Sequence, residues 1–217
     1  MDSKNEKGIR SRSRSSYERR GHRCAAHDSN ISGKSIMPSV ISHAAVAVAA
    51  GIAFTPREVP NHFWPLSILC SVIPDADIIG FSFGIPYEHF LGHRGFFHSP
   101  FFSLFMSIFW VSVFFRGIEI FSRPWFFYFF FFFLLAASHG VLDAFTNGGL
   151  GIALLSPFDS ARYFFPWTPI MVSPIGIRSF FSTWGLGVMK SELLWIWLPS
   201  FSIVVVSIFI RGVTVRQ

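Results

Sequence analysis

Charge is scarce in this chain. Asp, Glu, Lys and Arg make up 14% of its 217 residues, whereas apolar residues make up 51% and 29 positions are Phe. That balance excludes an ordinary soluble domain of this size, which could not hide so much apolar surface; lipid receives it directly. Cysteine is almost absent too. Cys24 and Cys70 lie far apart, in neither a zinc-site spacing nor a disulfide framework, and carry no information on redox compartment. The 18 basic residues exceed the 12 acidic ones, but half of the basic residues precede Met37. The basicity therefore belongs to a tail, and nucleic acid is not an expected partner.

The tail, residues 1–36, is polar and Ser-rich, with the low-complexity run Ser11-Arg12-Ser13-Arg14-Ser15-Ser16. It cannot bury enough apolar area to offset its ordering entropy, so we expect a disordered, solvated segment that keeps the N-terminus in the cytoplasm. Met37 is an alternative start, because Met37-Pro38-Ser39 opens directly onto the first apolar run. Residues 37–217 read as one membrane-embedded domain. The fold class is all-α: a multi-pass helical membrane protein of four to five transmembrane helices, with segments at about 39–54, 63–79, 100–115, 125–145 and 193–210. Pro74 breaks the second segment near its end. Ser99-Pro100 reads as the N-cap and first position of the third, and Trp195 and Trp197 anchor the fifth at an interface. Several segments sit near the lower spanning limit of roughly 17 residues, so one of them could be re-entrant. A basic stretch before an apolar run also resembles a signal peptide, but His43 within the run argues against that.

Ionisable residues interrupt these runs at four places: His43, the pair Asp75 and Asp77, the stretch Gly92-His93-Arg94-Gly95-Phe96-Phe97-His98-Ser99, and the pair His139 and Asp143. With the N-terminus inside, alternating passes bring all of them to the cytoplasmic membrane surface. Arg94, Arg162, Arg178 and Lys190 fall on that side with the tail. Arg57, Arg116, Arg123, Arg211 and Arg216 fall on the other, so the orientation depends on the tail. From 147 to about 191 the chain is rich in Pro, Gly and aromatics. It reads as an ordered loop with short helices lying over the site.

Each group alone has a structural explanation: a buried helix contact for His43, interfacial caps for Asp75 and Asp77, a polar pair for His139 and Asp143. Charge inside apolar runs is costly, which favours function. His139 and Asp143, spaced i, i+4, share a helical face, and imidazole is the commonest metal ligand. His43, Asp75, Asp77, His93, His98, His139 and Asp143 are the expected ligands. They exceed the needs of one tetrahedral zinc, so two ions can be held, and two close cations suit ester hydrolysis. Asp77 or Asp143 would act as base upon water, and Arg94 would contact an anionic substrate oxygen. Glu88 and His89 are near enough in sequence to support the ligands.

In order along the chain, Ser42-His43-Ala44, Ile73-Pro74-Asp75-Ala76-Asp77, Gly92 through Ser99 and Ser138-His139-Gly140-Val141-Leu142-Asp143 resemble the motifs of the YdjM-like bacterial inner-membrane metal-dependent hydrolases. The resemblance spans about residues 37–180, and Phe97 stands where the family often has Thr. It implies a location in the bacterial inner membrane and a distant kinship with zinc-dependent phospholipase C and P1 nuclease, hence a phosphoesterase on a helical scaffold.

The expected function is hydrolysis by metal-activated water of a phosphoester, either a small molecule or a membrane lipid. Zinc is the expected cofactor, with manganese or iron as alternatives. A metal transporter or sensor is the competing reading, as is a scaffold with a structural metal. Transport predicts polar residues through to the far face, and the far halves of the third and fourth segments are almost wholly Phe, Leu, Ile and Val.

Overall fold

Serine and proline set where the helices begin. In the computed structural model, which describes residues 36–37, 39–56, 58–174 and 182–214, Ser39 caps helix α1 (Val40–Phe54) by accepting from the Ser42 N–H. Ser99 caps α4 (Pro100–Phe114) by accepting from Phe102, with Pro100 at its first position. Ser122 caps α5 (Arg123–Ala144) in the same way through Trp125. Each hydroxyl satisfies a donor that the first helical turn leaves unpaired. Helix α2 (Phe63–Val72) passes at Pro74 into a 3-10 turn, Ile73–Ile78, and a last short helix, α3 (Ile79–Ser82). A second 3-10 turn, Phe96–His98, precedes α4. The chain ends in α6 (Thr183–Glu192), a π-helical turn (Leu193–Trp197) and α7 (Leu198–Thr214). Among the described residues the only strands in this helical design are a two-residue antiparallel pair, β1 (Ile36–Met37) and β2 (Ser173–Pro174).

Three helical stretches among the described residues are long and apolar enough to cross a membrane: Phe63–Ser82, Arg123–Ala144 and Thr183–Gly212. α1 and α4 are apolar but have 15 residues each, about 22 Å of helix against a hydrocarbon thickness of about 30 Å. α5 packs on α4 and α2, and α1 packs on α2 and α7. One end of the bundle is an apolar core in which Phe63, Phe115, Tyr128 and Phe132 interlock. His62 lies edge-on to Phe115 there, far from the metal-binding candidates. Arg211 of α7 donates to the Ala53 and Thr55 carbonyls at the same end of α1. The buried His and Asp residues gather at the opposite end.

Two expectations need correction. The last helix starts at Thr183, ten residues before the expected apolar segment, because Ser182 caps it and its small residues pack closely: Gly185 is buried, and Gly187 lies against Met171. Of the short helices expected between 147 and about 191 the described residues show one, α6, whereas from Asn147 to Pro174 the chain forms turns and two isolated bridges, Thr146 with Ile170 and Ile152 with Tyr163. Its many breakers prevent continued helical hydrogen bonding. The tail apart from Ile36, with Arg57, Arg178 and Arg216, lies outside the described residues.

Candidate metal centre

Four parts of the chain converge here. The Pro74 turn delivers Asp75 and Asp77, the 3-10 turn before α4 delivers His98 and the loop ahead of it His93, and the last turns of α5 deliver His139 and Asp143. The first turn of α1 delivers His43. All seven are at most 8% exposed. Gly140 permits the closest of these approaches, since a Cβ at that position would run into the His98 carbonyl.

Asp75, His98, His139 and Asp143 form the tighter group. His139 Nε2 lies 3.2 Å from both Asp75 Oδ1 and His98 Nε2, and His98 Nε2 lies 3.5 Å from Asp75 Oδ1. Asp143 Oδ2 lies 3.3 Å from His98 Nε2 and 4.0 Å from His139 Nε2. Tetrahedral zinc with bonds of about 2.0–2.1 Å spaces its ligand atoms about 3.3 Å apart, so these separations match one ion. His139 Nδ1 lies 2.7 Å from the Ser71 carbonyl. A carbonyl only accepts, so Nδ1 carries a proton, and in the neutral ring Nε2 turns a lone pair toward the group.

A second group, Asp77, His93 and His98, shares the His98 ring through its other nitrogen. Asp77 Oδ1 lies 2.7 Å from His93 Nδ1, and Oδ2 lies 3.2 Å from His98 Nδ1 and accepts from the Arg94 backbone N–H at 3.2 Å. This is how a carboxylate behind a ligating histidine fixes its ring and tautomer. Burial alone would lower the His98 pKa, but the Asp143, Asp75 and Asp77 carboxylates around it hold it well above the ordinary range. The centre thus calls for positive charge, supplied by a proton on His98 or by a bound cation.

Arg94 departs from the expectation that it meets substrate. It is wholly buried. Its Nε lies 3.2 Å from Asp143 Oδ2, while its terminal nitrogens donate to the Gly148 carbonyl at 2.7 Å and the Thr146 hydroxyl at 3.0 Å. Its φ of 63° is left-handed, a conformation that costs a non-glycine residue about 1–3 kcal/mol. That turn places the backbone N–H on Asp77 while the side chain faces Asp143. Arg94 therefore compensates a buried carboxylate and ties the loop after α5 to the centre.

Residues 37–214 match the family described as YdjM inner membrane protein. The chain is also 35% identical over 163 residues to the inner membrane protein YbcI of Escherichia coli (strain K12), a match covering 75% of this chain and 92% of that relative. The chain belongs to the YdjM inner membrane protein family. No solved structure matches it significantly.

In this YdjM-family protein, His43 is next to the four-residue group rather than within it. It stacks on His139 with ring centroids 3.8 Å apart, and its Nε2 lies 3.6 Å from Asp143 Oδ1. Phe97 packs on Phe96 and Phe102. Glu88 and His89 are exposed, and the His89 ring accepts from the Leu91 N–H, so neither supports the ligands. Three contributors escaped sequence reasoning. Thr146 holds Arg94. Arg162 donates to the His93 and Tyr87 carbonyls, closing the loop over the centre. Tyr87 sets its ring edge-on to His93 and is raised in pKa by burial, which keeps its hydroxyl protonated. The adjacency of Tyr87 to the His-Arg-Gly stretch was the available signal for it; no local pattern marks the other two.

Among the described residues ten buried side-chain polar atoms make no hydrogen bond, and eight of them belong to His43, Asp75, Tyr87, His93, Arg94, His98 and Asp143, several of these resting in ion-pair contacts alone. Native proteins rarely leave such atoms unmatched. Their concentration at one point, with acceptor oxygens and imidazole lone pairs predominating, fits a cation there.

Proposed function

We propose that this membrane protein is a metal-dependent hydrolase in which Asp75, His98 and His139 hold one divalent ion, zinc in the leading case. The observation that carries the reading is the triangle of Asp75 Oδ1, His98 Nε2 and His139 Nε2, with sides of 3.2, 3.2 and 3.5 Å. Asp143 stands slightly apart, 4.0 Å from His139 Nε2 and paired with Arg94. Three protein ligands with a carboxylate beside the remaining position is an arrangement suited to catalysis, whereas four equal ligands close a structural site. A bound ion would supply Lewis acidity toward an ester oxygen and toward water. Asp143 would take the proton from that water, with Arg94 keeping the carboxylate oriented and ionised. Asp77 would fix the His98 and His93 rings. The substrate class is a phosphoester, with a membrane lipid as the leading source, and the centre faces the cytoplasm.

The test is metal content of the detergent-purified protein together with hydrolysis of bis(p-nitrophenyl) phosphate and of phospholipid vesicles. Near-stoichiometric metal and hydrolysis, both lost in His139→Ala, support the reading. A wild type that stays metal-free after reconstitution overturns it.

The burial of every donor favours one competitor, a scaffold whose metal is structural. Cobalt substitution separates the two. Inorganic phosphate should perturb the visible spectrum of a site with an open position and leave a closed four-ligand site unchanged.

A further inference from the structure

Residues 145–174, which follow α5, close over the metal centre, yet several of their large apolar side chains are exposed. Their inner side is tied down by the Ala153 N–H donating to the Arg94 carbonyl and by Arg162 donating to His93 and Tyr87. On the outer side Phe158 is 84% exposed, Trp167 56% and Leu155 55%. A patch of this kind on a folded surface marks an interaction site.

Its position says with what. Phe158 packs edge-on against Phe101, in the first turn of the apolar helix α4, with centroids 5.5 Å apart. Trp167 meets Trp195 at 4.7 Å and 90°, and Trp195 sits in the terminal membrane-spanning stretch. Level with it, Trp197 donates to the Ser42 hydroxyl in the first turn of α1. The exposed aromatics of the loop thus adjoin the first turn of the apolar helix α4 and the terminal membrane-spanning stretch at the metal-centre end of the bundle. Tryptophan and phenylalanine in such a place match the aromatic belt of a lipid interface.

We propose that this loop lies in the boundary between head groups and acyl chains of the leaflet at the metal-centre end, with Leu155, Phe158 and Trp167 inserted into lipid. The cover over the centre then faces the membrane, not water. Resting on the hydrolase reading above, the consequence is that substrate comes laterally from that leaflet and is an amphiphile. The lipid contact itself stands independently of that reading.

The experiment places an environment-sensitive NBD label at Phe158→Cys in a Cys24→Ser background, where the remaining Cys70 is buried. Leu155→Cys is a second site and the exposed Glu88→Cys is a control at the same end. Each protein is reconstituted in liposomes with or without lipids carrying a nitroxide near the head group. Labels at 158 and 155 should emit at shorter wavelength than at 88, and nitroxide lipid should quench them severalfold more strongly than aqueous iodide. Water-like emission with iodide quenching at both sites overturns the proposal. Blue-shifted emission that nitroxide lipid leaves unquenched also overturns it, assigning the patch to a protein partner or a second copy. Metal content of the same samples reports on the centre separately, so loss of one reading is distinguishable from loss of the other.

Discussion

His98 and His139 bring their Nε2 atoms to 3.2 Å of each other although they are 41 residues apart in sequence. Two imidazole nitrogens stay that close only when a proton or a cation sits between them and nearby acceptors. His139 Nδ1 donates to Ser71, so in the neutral ring its Nε2 offers a lone pair. Replacing either ring by Ala should remove bound metal almost entirely, measured by mass spectrometry of the metal in purified protein. Retention of full metal by either variant would place the ion elsewhere.

Asp77 and Asp75 are two residues apart but have different tasks. Asp75 points an oxygen at both Nε2 atoms, whereas Asp77 serves the Nδ1 side of His98 and His93. Asp75→Asn should abolish metal binding. Asp77→Asn should weaken it by roughly 10–100-fold, as loss of a carboxylate behind a ligating histidine does. Competition with a chelator of known affinity measures both, and equal losses would make Asp77 a direct ligand.

Much of this was legible in the sequence, for physical reasons that also explain the failures. Lipid-facing helices carry long apolar runs, and the Ser99-Pro100 cap is a local signal, so the third segment could be located closely. The i, i+4 spacing of His139 and Asp143 fixed their shared face, and alternation of passes brought His43, Asp75, His98 and His139 to one end. The orientation of Arg94 was not legible. A guanidinium beside two histidines suggests an anion, but its left-handed backbone turns the side chain inward to Asp143, and no local pattern encodes that choice. The start of the last helix was hidden because Gly185, Gly187, Lys190 and Glu192 dilute its hydropathy. The packing of Gly187 against Met171 depends on a contact distant in sequence.

Arg94 leads to a stability prediction. Removing one member of a buried ion pair leaves the other uncompensated, at a cost of about 3–5 kcal/mol. Arg94→Ala should therefore lower the thermal midpoint in detergent strongly. Arg94→Lys should recover little, because an ammonium cannot reach Asp143, Gly148 and Thr146 together. In the Asp143→Asn background the same Arg94→Ala change should cost much less. An unaltered midpoint in Arg94→Ala would mean that the pair is not compensating buried charge.

Gly140→Ala tests the closure of α5 on the histidine turn. The added methyl meets the His98 carbonyl, which is backbone and cannot rotate aside. Overpacking of this kind costs about 1–3 kcal/mol, and the relief available is to push His98 away from His139 and open the triangle. The variant should fold with a reduced midpoint and a clear loss of metal affinity.

Glu192 supports the first turn of α1 and tests whether that turn matters to the centre. It is buried and accepts from the Ser39 N–H at 2.6 Å, the Ser39 hydroxyl at 2.5 Å and the Ser42 hydroxyl at 2.7 Å. Truncation to Ala strands three donors, each costing about 1–3 kcal/mol if left unpaired, so Glu192→Ala should lower the midpoint in detergent. Glu192→Gln keeps an acceptor and should lose less. Since His43 only borders the four-residue group through Asp143 and His139, both variants should keep their metal. Loss of metal in the milder Glu192→Gln would show instead that the first turn of α1 holds His43 as a ligand.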